Sequence, residues 1–416
     1  MIDIKILRKN PELIKDSMER RGDTNVDIDE LVKLDQDYLQ LIQDVQALQE
    51  QRNTKSKECK DNPDAREEVK VIKVELAEKD ELMKTLKLQI DEKMAWLPNF
   101  LSDDAPAGLS DEDNTEFKVV GEKPQFDFEP KDHQELGEAL DIIDAARGAK
   151  VAQAGFYYWK GKGAILAQSL FFWTQMELVK RGFTLFMTPC VAKESTLFGT
   201  GYLPFFADQT YKLDGEDLSL IGTSEQTLVA YYGDEILNSA EFPLKSTAFT
   251  PCFRTEAGSY GKASRGIHRV HQFHKVEQII FCKPEDSPTW HEHCQENAEY
   301  LASALGLAYH VVNVCIGDMG APGYKKYDIE AWFPGFGGYR EITSNTNLTD
   351  FQSRRLNIRY KDENKKNQFV HTISSTAVTD RVVCAIMESY QQEDGSILIP
   401  EVLQPFCGFD KIEAGN

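Results

Sequence analysis

Residues 250–281 read TPCFRTEAGSYGKASRGIHRVHQFHKVEQIIF. Two apolar-flanked runs, Ala248 to Phe253 and Ile267 to Phe281, enclose a segment rich in Gly, Ser, Lys and Arg, which predicts strand, basic loop, strand. Side chains two apart on a strand share a face. Phe273, Lys275 and Glu277 therefore project together, and Arg254 and Glu256 stand where the first strand runs into the loop. An aromatic plate suits a base, the planar fork of an arginine suits phosphate, and a fixed carboxylate suits an ammonium group. Those are the three parts of an aminoacyl adenylate.

The run FRTEAGSYGKASRGIHRVHQFHKVE (253–277) resembles motif 2 of the seryl-tRNA synthetases, whose pattern is FRxEAGSxGRDTRGxxRxHQFxKVE. A bare FRxE is common to class II synthetases at large, whereas the HQFxKVE continuation is narrower. The resemblance implies an α+β class II core, an antiparallel β-sheet flanked by helices, preceded by an N-terminal antiparallel two-helix coiled-coil arm.

The 416 residues call for two or more domains. With 41% hydrophobic and 28% charged residues, the composition is that of an ordinary soluble globular protein. A formal net charge of −21 excludes a general nucleic-acid coat protein, so any RNA contact must be local. The eight cysteines are scattered without a CxxC, as in reduced, buried thiols of a cytoplasmic protein. The opening MIDIKILRKNPELIKDSMERRG is charged throughout, and no run of 18 apolar residues occurs, so neither a signal peptide nor a membrane span is expected.

Leu31, Leu34, Tyr38, Leu41, Val45 and Leu48 recur at spacings of three and four, a heptad seam. Asn62-Pro63 breaks it. A second seam follows in Val69, Ile72, Leu76, Met83, Leu86, Ile90 and Leu97, with Lys79 and Lys93 at positions where apolar residues belong. Two helices joined by a short turn must fold back antiparallel, giving an arm about 50 Å long. From Arg52 to Lys73 the sequence carries seven basic and five acidic residues, a local excess of positive charge in an acidic chain. A dimerising coiled coil and an RNA-binding arm fit this pattern equally. In bacterial and cytosolic seryl-tRNA synthetases such an arm embraces the variable arm of the tRNA, and the resemblance implies that role for Arg52, Lys55, Arg66 and Lys70. Residues 1–100 are thus read as a tRNA-binding domain, 101–121, acidic and aperiodic, as a linker, and 122–416 as the catalytic domain.

Within the catalytic part, AILAQSLFFWTQMELVKRG predicts an amphipathic helix ending at Gly182, followed by a strand from Phe183 to Met187 and then Pro189. This arrangement is similar to class II motif 1, which forms the dimer interface, so a homodimer is expected. In LIGTSEQTLVAYYGDEIL, Thr223 and Glu225 can face one pocket while Ser224 faces away. TSE matches the family's serine-binding TxE. EITSNTNLTDFQSRRLNIRY is similar to the family's EVSSCSNxxDFQARRLNIRY, with Asn345 where Cys is usual. HTISSTAVTDRVVCAIMESY resembles motif 3, but His371 to Arg381 is one residue short. The serine-contacting position therefore falls on Thr376, with Ser375 as the alternative.

Carried over residue by residue, the resemblance implies ATP contacts at Arg254, Thr255, Glu256, Phe273, Glu341, Ile342, Thr343, Ser344 and Arg381. It implies serine contacts at Thr223, Ser224, Glu225, Arg254, Glu277 and Thr376, and Mg²⁺ held by Glu341 and Ser344, the hard oxygen donors that ion prefers. Arg254, Arg381 and Glu341 would be the catalytic groups. Arg265 in the basic loop would meet pyrophosphate or the acceptor end. The implied reaction is activation of L-serine with ATP and transfer to tRNA(Ser), with tRNA(Sec) an open second acceptor. The histidines lie too far apart, or on opposite faces, for a zinc site. The alternative is a synthetase-like paralogue that serves another acceptor or is inactive, to which Ala263, where Asp is usual, and the shortened motif 3 would point. A coiled-coil scaffold with a degenerate tail would have lost Arg254, Glu277, Glu341 and Arg381, and all four are present.

Overall fold

In the computed structural model, which describes residues 1–59, 62–257 and 266–413, the chain divides into two units, Met1–Phe100 and Leu101–Asn416. The first is helical. Short helices α1 (Ile4–Lys9) and α2 (Pro11–Arg21) precede the long α3 (Ile28–Glu58) and α4 (Pro63–Ala95). Each long helix has a capping side chain: Asp27 accepts from the Glu30 amide at 3.0 Å, and Asn62 accepts from the Asp64 amide, with Pro63 in the first turn, where its missing N–H costs nothing. The pairs Lys55–Glu68 (2.8 Å), Lys79–Asp44 (3.5 Å) and Lys93–Glu30 (2.8 Å) run in antiparallel register along the arm. Lys79 and Lys93, misplaced in a purely apolar seam, thus find acids on the opposite helix. At the base, Leu7, Ile14, Met18, Ile28, Leu31, Ile90 and Leu97 form a buried core, and Arg8 grips the buried Asp35 with two bonds of 2.7 and 2.8 Å.

The second unit is built on an eight-stranded sheet. Its strands are β1 (Thr115–Val120), β2 (Thr184–Phe186), β3 (Leu244–Phe253), β4 (Gln272–Cys282), β5 (Tyr309–Asn313), β6 (Lys325–Phe333), β7 (Gly338–Thr349) and β8 (His371–Thr379). The spatial order is β1-β5-β6-β7-β8-β4-β3-β2. Every pair is antiparallel except β2 with β3, which is parallel, so the sheet is mixed at that edge. Five helices serve it: α5 (Gly161–Lys180), α6 (Glu225–Ala230), α7 (Ser287–Ala304), α8 (Phe351–Leu356) and α9 (Asp380–Ser389). Alternation along β4 sends Val276, Ile280 and Cys282 into the main core with residues of α5, α7 and α9, leaving Phe273, Lys275 and Glu277 on the other face.

Three expectations need correction. Thr115–Val120, inside the stretch expected to be a linker, pairs with β5 and makes an edge of the sheet; its alternating Phe117, Val119 pattern was masked by acidic neighbours. The second strand of the opening stretch begins at Gln272, not Ile267, because Gly266–His268 forms a 3₁₀ turn that buries Ile267 and His268. Thr223 and Glu225, expected to face one pocket together, are not arranged by simple alternation: Thr223 and Ser224 lie in the turn leading into α6, and Glu225 is the first residue of that helix.

Candidate active site

On the open face of the sheet lies a cleft of about 360 Å³, lined among others by Arg254, Glu256, Phe273, Lys275, Glu277, Glu341, Ser344, Thr376 and Arg381. Its amino-acid end is a polar network. Glu277, buried, accepts from Thr223 Oγ1 at 2.9 Å and from Ser374 Oγ at 3.4 Å, and is ion-paired with Lys275. Glu225 accepts from Gln352 Nε2 at 2.6 Å and from Tyr202 Oη at 3.2 Å. Burial, and then the neighbouring Glu277, raise the Glu225 pKa. Thr223 does not reach the cleft surface. It lies fully buried beneath Glu277 and also accepts from the Glu225 amide at 3.2 Å, so it supports both carboxylates from behind. Ser224 is buried too, and its hydroxyl has no partner among the described residues.

A β-bulge decides the motif 3 side. In β8, Thr376 stands opposite Glu277, but Val378 stands opposite Val276 and Thr379 opposite Lys275, so Ala377 is the extra residue. Thr376 and Thr379 consequently share the cleft face although they are three apart. Ser375 points the other way, where it accepts from Gln278 Nε2 at 3.4 Å. Of the two alternatives from the sequence, the cleft position is Thr376.

A second bulge shapes the phosphate end. Ser344 pairs with Asp328 and Glu341 with Glu330, leaving Ile342 as the extra residue of β7. Cross-strand partners share a face, so the bulge brings Glu341 and Ser344, of opposite parity, onto one face. Arg381 is held at four points: Nη1 donates to Glu341 Oε2 and to the Glu341 carbonyl, both at 3.0 Å, and Nε and Nη2 donate to the His268 carbonyl at 3.3 and 3.1 Å. Burial works to raise the Glu341 pKa, but the charges of Arg381 and Lys326 outweigh it and hold the carboxyl below its ordinary value. The carboxylate and the Ser344 hydroxyl are hard oxygen donors on one face, and buried Asp328 next to them has no partner for Oδ1 among the described residues while Oδ2 pairs with Lys326 at 2.9 Å. This donor set fits Mg²⁺.

Arg254 lies over the Phe273 ring, 5.2 Å from its centroid. Glu256 reaches the cleft through a left-handed backbone, φ 50°, that non-glycine residues seldom adopt, and its carboxylate accepts from Arg269 at 3.4 Å. Thr255 is turned away: its amide and hydroxyl donate to the carbonyls of Gln209 and Asp208. Ile342 and Thr343 line the cleft but are themselves buried.

At the arm tip Lys55 pairs with Glu68 and Glu58, Lys70 with Glu67, Arg66 Nε donates to the Cys59 carbonyl at 3.1 Å, and Arg52 bonds Asn53. Arg265 and Ala263 lie outside the described residues. Sequence reasoning missed Tyr202, Gln352, Lys326 and Asp328. Only the Lys326, Asp328 alternation in KKYDIEAW could have flagged any of them.

A family model of the class II tRNA synthetase core domain (G, H, P, S and T) matches residues 209–390, the stretch that builds this cleft. Sheet, bulges and paired arginines thus define a class II aminoacyl-tRNA synthetase. Residues 1–101 match a model of the seryl-tRNA synthetase N-terminal domain. Serine–tRNA ligases of Treponema denticola and Dictyoglomus thermophilum are 42% and 43% identical over 99% of this chain and 100% and 99% of theirs. Among solved structures, seryl-tRNA synthetase from Pyrococcus horikoshii complexed with ATP superposes with a TM-score of 0.94 at 36% identity over the full length of both chains, and the cytoplasmic enzyme of Naegleria fowleri in complex with AMP with 0.89 at 30% over all of this chain and 99% of its own. The chain belongs to the seryl-tRNA synthetase family.

Proposed function

We propose that this chain activates L-serine with ATP and transfers the seryl group to the 3′ end of tRNA(Ser) in the cytoplasm. One observation carries the reading: a single cleft holds an aromatic plate, two arginines and a lysine-paired buried carboxylate. In the first step a carboxylate oxygen of serine attacks the α-phosphorus of ATP, the bond to the β-phosphate bridging oxygen breaks, and pyrophosphate leaves with the electron pair. The nucleophile is already ionised, so no general base is needed, and the residues must supply position and charge. Phe273 stacks on adenine, and Glu256 accepts from its amino group. Arg254 spans the α-phosphate and the serine carboxylate. Arg381, with both N–H groups of Nη1 engaged by Glu341, keeps one N–H on Nη2 for the γ-phosphate. Glu277 takes the serine ammonium, with Glu225 and Thr376 beside the hydroxyl. When bound at Glu341 and Ser344, Mg²⁺ supplies neutralisation of phosphate charge. In the second step a hydroxyl of the 3′-terminal ribose attacks the seryl carbonyl carbon, the bond from that carbon to the α-phosphate oxygen breaks, and AMP leaves with the electron pair while the hydroxyl proton passes to its phosphate.

The arm tip, with Arg52, Lys55, Arg66 and Lys70, contacts the tRNA; the carboxylates that now pair with Lys55 and Lys70 are exposed and can be replaced by phosphates. A second copy covers Ile165, Phe172, Val179 and Phe406 together with Met187, all exposed and apolar, the last completely so. Sedimentation would detect the homodimer. Serine-dependent ATP–pyrophosphate exchange, with alanine and threonine as controls, tests the activity. Exchange without preference for serine, or none, would favour the paralogue reading.

A further inference from the structure

The strand pair of the cleft is interrupted by the 3₁₀ turn at Gly266–His268, whose last carbonyl receives Arg381. That turn is held from behind by a buried side chain with no assigned role. His133 begins the short helix His133–Ala139, and its ring is buried. Nδ1 lies 2.7 Å from Glu388 Oε1, which also accepts from the His133 amide at 3.1 Å, while Glu388 Oε2 accepts from the Gly335 amide at 2.9 Å. On the other side of the ring the Ile267 amide donates to Nε2 at 3.0 Å.

These contacts fix the protonation of the ring. A backbone amide can only donate, so Nε2 must carry its lone pair, and the proton sits on Nδ1, facing Glu388. Burial disfavours charge on the ring, while Cys384 and then Glu388 favour it and raise its pKa; the Ile267 amide, which only an unprotonated Nε2 can accept, opposes them and selects the neutral form. Both nitrogens are thereby used. In the cluster His133, His268 and Glu388, whose ligand atoms lie within 4.8 Å of one another, the lone pair of His133 Nε2 is taken by the Ile267 amide and Nδ1 faces Glu388, which leaves His133 no nitrogen for a metal. His268 packs edge-on against His133, centroids 4.8 Å apart, and burial pushes its own pKa down to about 2, so no charge arises there to repel Arg381.

Gly266 is part of the same fitting. Its φ is +78°, and a Cβ there would lie 2.1 Å from His133 Nε2. Glu388 and Arg381 are seven residues apart on α9, about two turns, and so sit on one side of the helix. The helix that carries Arg381 therefore also anchors, through its far end and His133, the turn that receives the guanidinium.

We infer that His133 is a positioning residue: clamped by Glu388, it holds the Ile267–His268 turn so that the His268 carbonyl orients Arg381 for the ATP phosphates. This rests on the proposed role of Arg381. The test is steady-state pyrophosphate exchange by the full chain, comparing H133F, H133Q, G266A and R381A. H133F keeps an aromatic ring, somewhat larger than imidazole, and loses both side-chain bonds, and we expect its KM for ATP to rise about tenfold while its KM for serine stays within about twofold. The H133Q amide can donate and accept, and should restore most of the loss. G266A leaves His133 in place but displaces the turn, and should reproduce the ATP-selective rise even if H133F does not fold. Parent-like ATP KM in G266A, equal shifts for ATP and serine, or H133Q no better than H133F would overturn the inference. An R381A enzyme with unchanged ATP KM would instead overturn the role of Arg381.

Discussion

Replacing Thr223 by valine deletes one hydroxyl from a fully buried site without changing its shape, and two bonds go with it. The hydroxyl donates to Glu277 at 2.9 Å and accepts from the Glu225 amide at 3.2 Å. A bond to an ionised acceptor contributes about 1.5–3 kcal/mol, and an amide left unpaired in the interior costs about 1–3 kcal/mol. Lys275 and Ser374 still hold Glu277, which puts the loss in serine binding toward the lower part of that range. At about 1.4 kcal/mol per tenfold, KM for serine should rise roughly 10- to 30-fold in pyrophosphate exchange, with KM for ATP little changed. The Thr223→Ser variant keeps both bonds and should stay close to the parent. If serine and ATP constants move together, or if the valine variant binds serine normally, Thr223 does not act through the two glutamates.

Arg254→Ala and Glu341→Ala should each abolish adenylate formation while leaving the far-ultraviolet circular dichroism unchanged, because both supply charge and not packing; near-native exchange by either variant would refute its role. Across substrates the order should be serine, then threonine, then alanine, since alanine leaves buried polar groups unpaired and sites of this kind reject the analogue without a hydroxyl by roughly 10⁴-fold; exchange rates that place alanine above threonine would contradict this. Deleting Thr24 to Leu97 should leave exchange nearly intact and remove tRNA charging, and equal loss of both would deny the arm a separate role. His310 donates from both ring nitrogens, to Glu116 and Glu330 at 2.6 Å each, and these bonds outweigh burial to raise its pKa above 6.5. Its tie across β1, β5 and β6 is therefore complete below about pH 6.5 and lost as pH rises through the raised value, so hydrogen exchange at 115–120, corrected for intrinsic rate, should quicken with alkalinity, and H310Q should flatten that dependence.

Much of this was legible in the linear chain, for identifiable reasons. The shared face of Phe273, Lys275 and Glu277 follows from strand alternation alone, and β4 is regular there. The arm follows from its heptads, and Lys79 and Lys93, which broke the pattern, were signs of interhelix ion pairs. What alternation cannot foresee is its own interruption. Bulges at Ile342 and Ala377 change which side chains face the cleft, and neither residue marks itself as a bulge. Nor does any local pattern reveal that Tyr202 and Gln352 converge on Glu225 from segments 150 residues apart in the chain, at Tyr202 and Gln352. The two-residue spacing of Thr223 and Glu225 suggested a common pocket, yet the chain turns from loop to helix between them, so one supports where the other lines.

The edge strand β1 alters what can be cut. Residues 101–121, acidic and rich in Pro, Gly, Ser and Asp, have the composition at which a protease nicks a chain or a protein engineer separates two halves. Yet Leu101 is buried, the Ser102 amide donates to the Tyr324 carbonyl at 2.9 Å, and Thr115–Val120 is hydrogen-bonded along β5. Proteolytic attack requires the backbone to leave these partners. A scission there would not release two intact halves; it would strip the sheet of its outermost strand and leave the paired groups of β5 open to adhesion by other chains. Any truncation meant to yield the catalytic unit alone has to begin no later than Leu101.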